Sequence, residues 1–380
     1  MDDAHRLNVV DLQVHVLRYP VEQPVRTSFG VMHDRPAVFV RVEDRDGAHG
    51  WGEVWCNFPA CGAEHRARLV DSVLRPLLVG RAYAAPAEAY AHLSAATAVL
   101  ALQAGEPGPM AQAIAGVDLA LWDLCARRAG QPLWAFLGGA DDRVAVYASG
   151  INPDDPEHVV SRKRQEGYRA FKLKLGFGQE RDLGNLRRVR ALLGPGVPLM
   201  ADANQGWDAP VAATMAQAMA ELDIAWLEEP LRADRPLAEW QALAHQSPVP
   251  LAAGENCLGA DAFRGVIEGA FLRVVQPDLA KWGGISGVLP VARAIRAAGL
   301  RYCPHYLGAG VGLMASAHVL AAVDDAGNHG LLEIDANDNP LRTLLSGPLA
   351  QLRDGVARLG QAPGIGIEPD LPALRASCAA

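Results

Sequence analysis

The sequence predicts an α/β chain: a barrel of eight βα units preceded by a separate α+β domain. Three observations carry this. From about residue 144 one theme recurs: a short β-branched or apolar run, a polar residue or two, then a longer Ala/Leu/Arg-rich stretch of helical spacing. Eight such runs can be found, the number that closes a (β/α)-barrel. The first 140 residues do not keep this rhythm.

In chain order, the first domain (1–140) shows strand patterns at 9–17, 37–43 and 50–54, with Asp44-Arg45-Asp46-Gly47 suited to a hairpin turn between the last two. Helical patterns follow at 65–75, 85–102 and 111–128. The barrel (141–340) has candidate strands at 144–149, 170–175, 198–202, 224–228, 250–255, 272–278, 301–305 and 330–335. The helices between them fall at 156–166, 181–193, 209–222, 237–245, 260–269, 286–298 and 312–323, most with Gly, Pro or Asp at an edge. In 286–298, Val288, Val291, Ala292 and Ile295 give the three-and-four spacing, Pro290 falls near the first turn and Gly299 marks the stop. The tail (341–380), with Pro363-Gly364-Ile365-Gly366 and Pro369, is too small to fold alone and is expected to pack back on the first domain.

Bulk composition excludes several classes. With 380 residues, 50% hydrophobic and 21% charged, the chain is an ordinary globular one. Thirty-five Lys plus Arg against 43 Asp plus Glu give a net charge of −8, with no basic block, so nucleic acid is a poor partner. The six cysteines (Cys56, Cys61, Cys125, Cys257, Cys303, Cys378) form no C-x-x-C, which predicts reduced thiols and disfavours a thiolate zinc site. An acidic N-terminus without a signal-like apolar core, and the lack of any run of about 18 apolar residues, lead to the expectation of a cytoplasmic protein with no membrane partner.

The last polar residue of each run from the second unit onward is Lys174, Asp202, Glu228, Glu255, Asp278, His305 and Glu333. In a barrel the C-terminal strand ends meet on one rim, where barrel active sites lie. A single Asp or Glu after a strand usually caps the next helix; seven ionisable groups in phase are not explained that way. Asp202, Glu228 and Glu255 end consecutive strands, and three hard oxygen donors with no countercharge next to them in sequence call for Mg²⁺ or a similar ion. Glu229 is expected to face the other way, in a supporting role.

Lys172 and Lys174, two apart among Phe171, Leu173 and Leu175, point into the barrel, where each cation and a nearby metal lower the other's pKa. One lysine would bind a carboxylate and the other take a proton. His305 and Asp278 end adjacent strands, and a carboxylate on one ring nitrogen raises the basicity of the other. Glu333 remains to hydrogen-bond a substrate carboxylate oxygen. Lys281 is either a solvated lysine or a rim group.

These residues resemble the enolase superfamily and, within it, the mandelate racemase subgroup. The matching pieces are Lys172-Leu173-Lys174, Asp202-Ala203-Asn204, Trp226-Leu227-Glu228-Glu229-Pro230, Gly254-Glu255-Asn256, Gln276-Pro277-Asp278 with Gly283-Gly284, Pro304-His305 and Leu332-Glu333. The resemblance implies a modified TIM-like barrel with an N-terminal capping domain, completed by the C-terminal tail. It implies one Mg²⁺ per subunit, or Mn²⁺ in its place, on Asp202, Glu228 and Glu255. Proton abstraction falls to Lys174 or the His305–Asp278 pair, and substrate contacts to Lys172, Asn204 and a protonated Glu333. A homo-oligomer, dimer to octamer, is implied as well.

Loops at about 24–35 and 55–61 would close over the substrate. There Arg26, His33, Trp55, Asn57 and Phe58 offer polar and aromatic contacts in place of a purely apolar pocket, which favours a hydroxylated substrate. The leading expectation is a lyase that dehydrates an acid sugar to a 2-keto-3-deoxy acid, His305 protonating the departing C3 hydroxyl. Racemisation or epimerisation of a 2-hydroxy acid uses the same two bases. A non-catalytic metal- or anion-binding barrel is the reading from another class.

Overall fold

A computed structural model of the chain describes residues 5–26, 30–324 and 330–379. The first domain is an antiparallel sheet of β1 (Leu7–Arg26), β2 (Val31–Asp44), β3 (His49–Val54) and β4 (Ala82–Tyr83) in the order β3-β2-β1-β4. Gly47 takes φ +83° in the turn between β2 and β3, where its N–H donates to the Asp44 carbonyl at 2.9 Å, as Asp-Gly predicts. Helices α1 (Gly62–Leu69), α2 (Arg75–Leu78), α3 (Pro86–Ala104), α4 (Pro107–Arg128) and α5 (Leu133–Phe136) follow. A turn of π-helix joins α1 to α2. The expected 24–35 loop is in large part a ribbon, since Val25 pairs with Met32 and Arg26 with Val31. Its tip, 27–29, lies outside the described residues.

The barrel strands are β5 (Arg143–Ile151), β6 (Phe171–Lys174), β7 (Leu199–Asp202), β8 (Ile224–Glu228), β9 (Leu251–Ala253), β10 (Val274–Val275), β11 (Arg301–Tyr302) and β12 (Leu332–Asp335), all parallel. Seven helices alternate with them: α6 (Pro156–Gln165), α7 (Gln179–Leu193), α8 (Ala209–Ala218), α9 (Leu237–Gln246), α10 (Ala260–Gly269), α11 (Gly284–Ala297) and α12 (Gly310–Val323). The ladder runs from β12 through β5 to β11. Among the described residues no ladder joins β11 to β12. That seam is held instead by the Leu331 N–H on the Cys303 sulfur at 3.4 Å and the Tyr306 N–H on Glu333 at 3.2 Å.

The later strands stop earlier than expected, so Glu255, Asp278 and His305 stand just beyond them. Gly254 turns the chain at φ +145° where a β-carbon would fall 2.7 Å from the Gln276 backbone nitrogen, and Pro277 and Pro304 cannot donate to a ladder. The α11 helix begins at Gly284, two residues before its predicted start, which leaves Pro290 in the helix interior rather than the first turn.

One layer of this barrel explains the rest. Tyr147, Ala170, Met200, Trp226, Ala252, Val274, Cys303 and Leu331, one from each strand line, form a separate buried apolar cluster that floors the barrel. Side chains two residues further along a strand share its face. Two residues on from that floor come Ser149, Lys172, Asp202, Glu228, Gln276, His305 and Glu333.

The tail does more than the sequence predicted. The strand β13 (Val356–Arg358) pairs antiparallel with β5 of the barrel, while Ile365 donates to Asp123 at 2.7 Å and Glu368 accepts from the Trp51 indole at 2.8 Å in the first domain. Its last helix, α14 (Leu371–Ala379), packs against β1 beyond the short α13 (Pro340–Thr343). All six cysteines are free thiols, and no described helix is long and apolar enough to cross a membrane.

Inside α12, buried His318 accepts the Trp134 N–H on Nδ1 at 3.0 Å, and burial pushes its pKa down to about 4. A depressed folded-state value means that stability present above 6.5 is lost as pH falls, because only the unfolded chain readily takes the proton. Urea unfolding should show the parent losing about 2 kcal/mol more than His318→Gln between pH 7 and pH 5. Parallel losses would show that another group sets the acid limb.

Candidate active site

The polar groups of the rim converge as their strand positions require. In the ladder Lys174 lies beside Asp202 and Asp202 beside Glu228, so these side chains rise from neighbouring strands at one height. Lys172, 1% exposed, donates to Glu228, to Glu333 at 2.7 Å, and lies 3.9 Å from Asp202. Lys174 donates to Asp202 at 2.8 Å and to the Asn204 side-chain Oδ1 at 2.6 Å. Gln276 and the Trp226 indole donate to the second Glu228 oxygen at 2.6 and 3.2 Å.

On the other side, His305 Nδ1 meets Asp278 at 2.7 Å and Nε2 meets Glu255 at 2.8 Å. The other Asp278 oxygen accepts the N–H groups of Ala280 and Lys281 at 2.8 and 3.1 Å, which fixes the carboxylate. Lys281 is a rim group: buried, donating to Glu255 at 2.8 Å and lying over the Trp55 ring at 5.0 Å.

Two expectations about charge, the lowered lysine amine and the protonated Glu333, are corrected. The three carboxylates have no countercharge beside them in sequence but find it across the barrel, where Lys172, Lys174, Lys281 and His305 engage them, and no three acidic, His or Cys groups form a ready-made metal cage among the described residues. Nor is the Lys174 amine lowered. Burial opposes its charge, but the attraction of Asp202 wins and holds the pKa above that of an ordinary lysine. Lys172 stands well above, for the same reason with Glu228 and Glu333.

Glu333 is likewise not held protonated. Burial works against its charge, but Lys172 and His305 outweigh burial and keep its pKa below the usual carboxylate value. His305 stands well above an ordinary histidine: burial opposes the charge and Glu255, Glu333 and Asp278 overcome it. The same partnership, with Lys281, holds Glu255 well below.

Glu228 is the exception. Burial and the repulsion of Asp202, Glu333 and Glu255 push it to about 7 despite Lys172. A divalent cation among these carboxylates would relieve that excess of buried negative charge. The donor set, all carboxylate oxygen on adjacent strand ends, therefore fits Mg²⁺ chemistry.

Glu229, expected to face away, is buried with φ +40° and accepts from Asn256 at 2.8 Å; repulsion from Glu255 adds to burial in raising its pKa. The chain has left strand geometry there, so alternation no longer applies. Of the capping residues, Trp55 reaches the rim over Lys281, whereas Asn57 turns its amide onto the Leu307 carbonyl. The Phe58 ring lies against Gly30, His33 is exposed, and the Arg26 side chain lies outside the described residues.

Several contributors escaped the sequence reading. Ser149, which donates to Glu333, and Tyr147, whose ring lies 5.4 Å from the Lys172 amine, sit on the first strand, where no ionisable residue drew notice. Alternation along 144–149 would have placed both on the inner face. Gln276 shares a face with Asp278 by the same rule.

Fold and site together define a capped (β/α)-barrel whose acids and bases all rise from one rim. Residues 11–138 match the mandelate racemase / muconate lactonizing enzyme N-terminal domain, and residues 156–373 the enolase C-terminal domain-like family. The chain belongs to the mandelate racemase/muconate lactonizing enzyme family of the enolase superfamily.

A crystal structure of a mandelate racemase/muconate lactonizing enzyme from Bordetella bronchiseptica is 65% identical, with a TM-score of 0.94 over 98% of this chain and 100% of that one. D-galactarolactone cycloisomerase of Agrobacterium fabrum is 30% identical over 97% of this chain and 98% of its own. A racemase from Streptomyces coelicolor, 28% identical with a TM-score of 0.85 over 96% and 98% of the two chains, was solved with bound magnesium. Relatives at 24 to 32% identity include a 3,6-anhydro-α-L-galactonate cycloisomerase from Streptomyces coelicolor, an arabinonate dehydratase from Saccharolobus solfataricus and an N-succinyl-L-Arg/Lys racemase from Bacillus cereus.

Proposed function

We propose that this chain removes the proton α to a carboxylate and eliminates the β-oxygen of an acid sugar, most simply as a dehydratase giving a 2-keto-3-deoxy acid. The observation that carries the reading is the pair of acid/base groups, Lys174 and the His305–Asp278 dyad, on opposite arcs of one carboxylate-rich rim. A proton next to a carboxylate is very weakly acidic, so charge building on the carboxylate oxygens must meet groups already in place. Lys172 is such a group, a buried cation fixed between strands. Asp202, Glu228 and Glu255 would hold Mg²⁺, which when bound supplies further positive charge for the same oxygens.

With Asp202 taken up by the cation, the attraction that keeps the amine charged would weaken, and Lys174 in its neutral form, held in place by Asn204, would take the C2 proton. His305, which the facing carboxylates keep protonated, then gives its proton to the leaving oxygen from the other side. A hydroxyl leaves as water. An ether ring oxygen leaves as a hydroxyl of the same molecule and a lactone ring oxygen as its carboxylate, which is the cycloisomerase outcome favoured by the relatives at 30 and 32% identity. Without a leaving group the proton returns from either face, which is racemisation or epimerisation.

The test is a panel of aldonates, aldarates, their lactones and anhydro acids, assayed for 2-keto acid with semicarbazide and repeated with EDTA. Product that depends on divalent metal is expected from at least one member. If every compound is left unchanged and none exchanges its C2 proton in D₂O, the catalytic reading is lost and a binding barrel takes its place.

A further inference from the structure

Two buried carboxylates of the first domain take no part in the chemistry above. Glu53, 2% exposed on β3, accepts the N–H of Ala309 at 2.6 Å on one oxygen and that of Gly312 at 2.9 Å on the other. These two amides begin α12. Asp118, 1% exposed on α4, accepts the Ser286 N–H at 2.9 Å and the Ser286 hydroxyl at 2.6 Å, in the first turn of α11. The Trp122 indole, also on α4, donates to that hydroxyl at 2.8 Å.

The first turn of a helix presents unsatisfied N–H groups and positive potential, usually met by the side chain of its own N-cap residue. Asp208 does this for α8. Gly283 and Ala309, the N-caps of α11 and α12, have no side chain for the task. Their caps arrive from the other domain. These helices are the ones that follow Asp278 and His305 in the chain.

The intervening segments have little freedom left. From His305 onward, the Tyr306 N–H is on Glu333, the Leu307 carbonyl takes the Asn57 amide, the Gly308 carbonyl takes Asn339 at 2.9 Å, and the Ala309 N–H is on Glu53. A β-carbon at position 308 would fall 2.7 Å from the Glu53 carboxylate, so Gly308 is required there. On the Asp278 side, a β-carbon on Gly284 would come within 2.9 Å of the Asp118 carboxyl carbon.

We propose that Glu53 and Asp118 are positioning residues for the His305–Asp278 pair, so that the first domain sets the geometry of one acid/base face of the site. The proposal rests on the reading that this pair moves a proton, and the readout is chosen to be independent of substrate. Glu53→Gln, Glu53→Asp and Asp118→Asn are compared in the full chain by ¹⁵N-histidine NMR, with the His305 ring signals assigned through His305→Asn, and by amide hydrogen exchange.

Glutamine retains one acceptor oxygen and turns an NH₂ toward the second N–H. Exchange at Ala309 and Gly312 should therefore rise about tenfold. The His305 ring signals should shift, Glu53→Asp should restore them in part, and segment 171–176 should stay as protected as in the parent. Asp118→Asn should move the same ring signals through Gly284–Ser286. Ring signals unchanged in both Glu53→Gln and Asp118→Asn, with the helix starts loosened, would reduce the two carboxylates to fold supports. Protection lost throughout the barrel would do the same. If Glu53→Gln does not fold, Glu53→Asp and Asp118→Asn carry the same readout. A chain inert toward every acid sugar would sink the proposed function and leave the ring measurement standing.

Discussion

Lys174→Met should lower C2-proton exchange about 10³-fold for the substrate antipode presented to that face, while the opposite antipode keeps exchanging through the neutral fraction of His305. His305→Asn should give the mirror result. The amine is held 2.8 Å from Asp202 and 2.6 Å from Asn204, half-buried at the rim. Methionine fills much the same volume without a proton to give or take. Asp202 retains the N–H groups of Asn204 at 2.8 and 3.1 Å, so the variant should still fold. Exchange measured by proton NMR in D₂O decides: equal losses for both antipodes in Lys174→Met would mean that the two faces are not separate bases.

Stripping divalent metal should have an equally large effect on turnover and a small one on the fold. Dialysis against EDTA is expected to abolish activity and Mg²⁺ to restore it, with Asp202→Asn, Glu228→Gln and Glu255→Gln each weakening the Mg²⁺ requirement curve. The carboxylates would not fly apart on metal loss, because Lys172, Lys174, Lys281 and His305 neutralise them. Circular dichroism should therefore be unchanged. The stability lost is that of ligand linkage, about 2.7 kcal/mol at a hundredfold excess of metal over its dissociation constant. Full activity in EDTA would overturn the assignment of the three carboxylates.

Much of this architecture was legible because two periods are written into the chain: alternation along strands and the longer recurrence of βα units. Asp202, Glu228 and Lys174 could be phased from these alone. What could not be read were events that break the periods. Glu229 escapes alternation because its φ turns positive one residue past the strand, and the ribbon at 24–35 passed for a loop because its pairing begins beyond a register shift after Pro20. Charge states were harder still. Glu333 and Lys174 owe theirs to groups 100 or more residues away or on a neighbouring strand, and no spacing rule adds up those fields.

The apolar floor of the barrel separates two duties along every strand. Tyr147, Met200, Trp226 and their companions keep the barrel filled, and the polar groups begin two positions above, about 6.6 Å further along, with Lys174, Glu255 and Asp278 beyond them. A substitution in the upper tier opens no cavity in the lower one. Such a chain can trade one reaction for another at its rim while the apolar packing below stays filled, the cost falling on the few contacts that join the tiers, such as the Trp226 indole on Glu228. That independence is a structural reason why dehydratases, cycloisomerases and racemases can share a single scaffold.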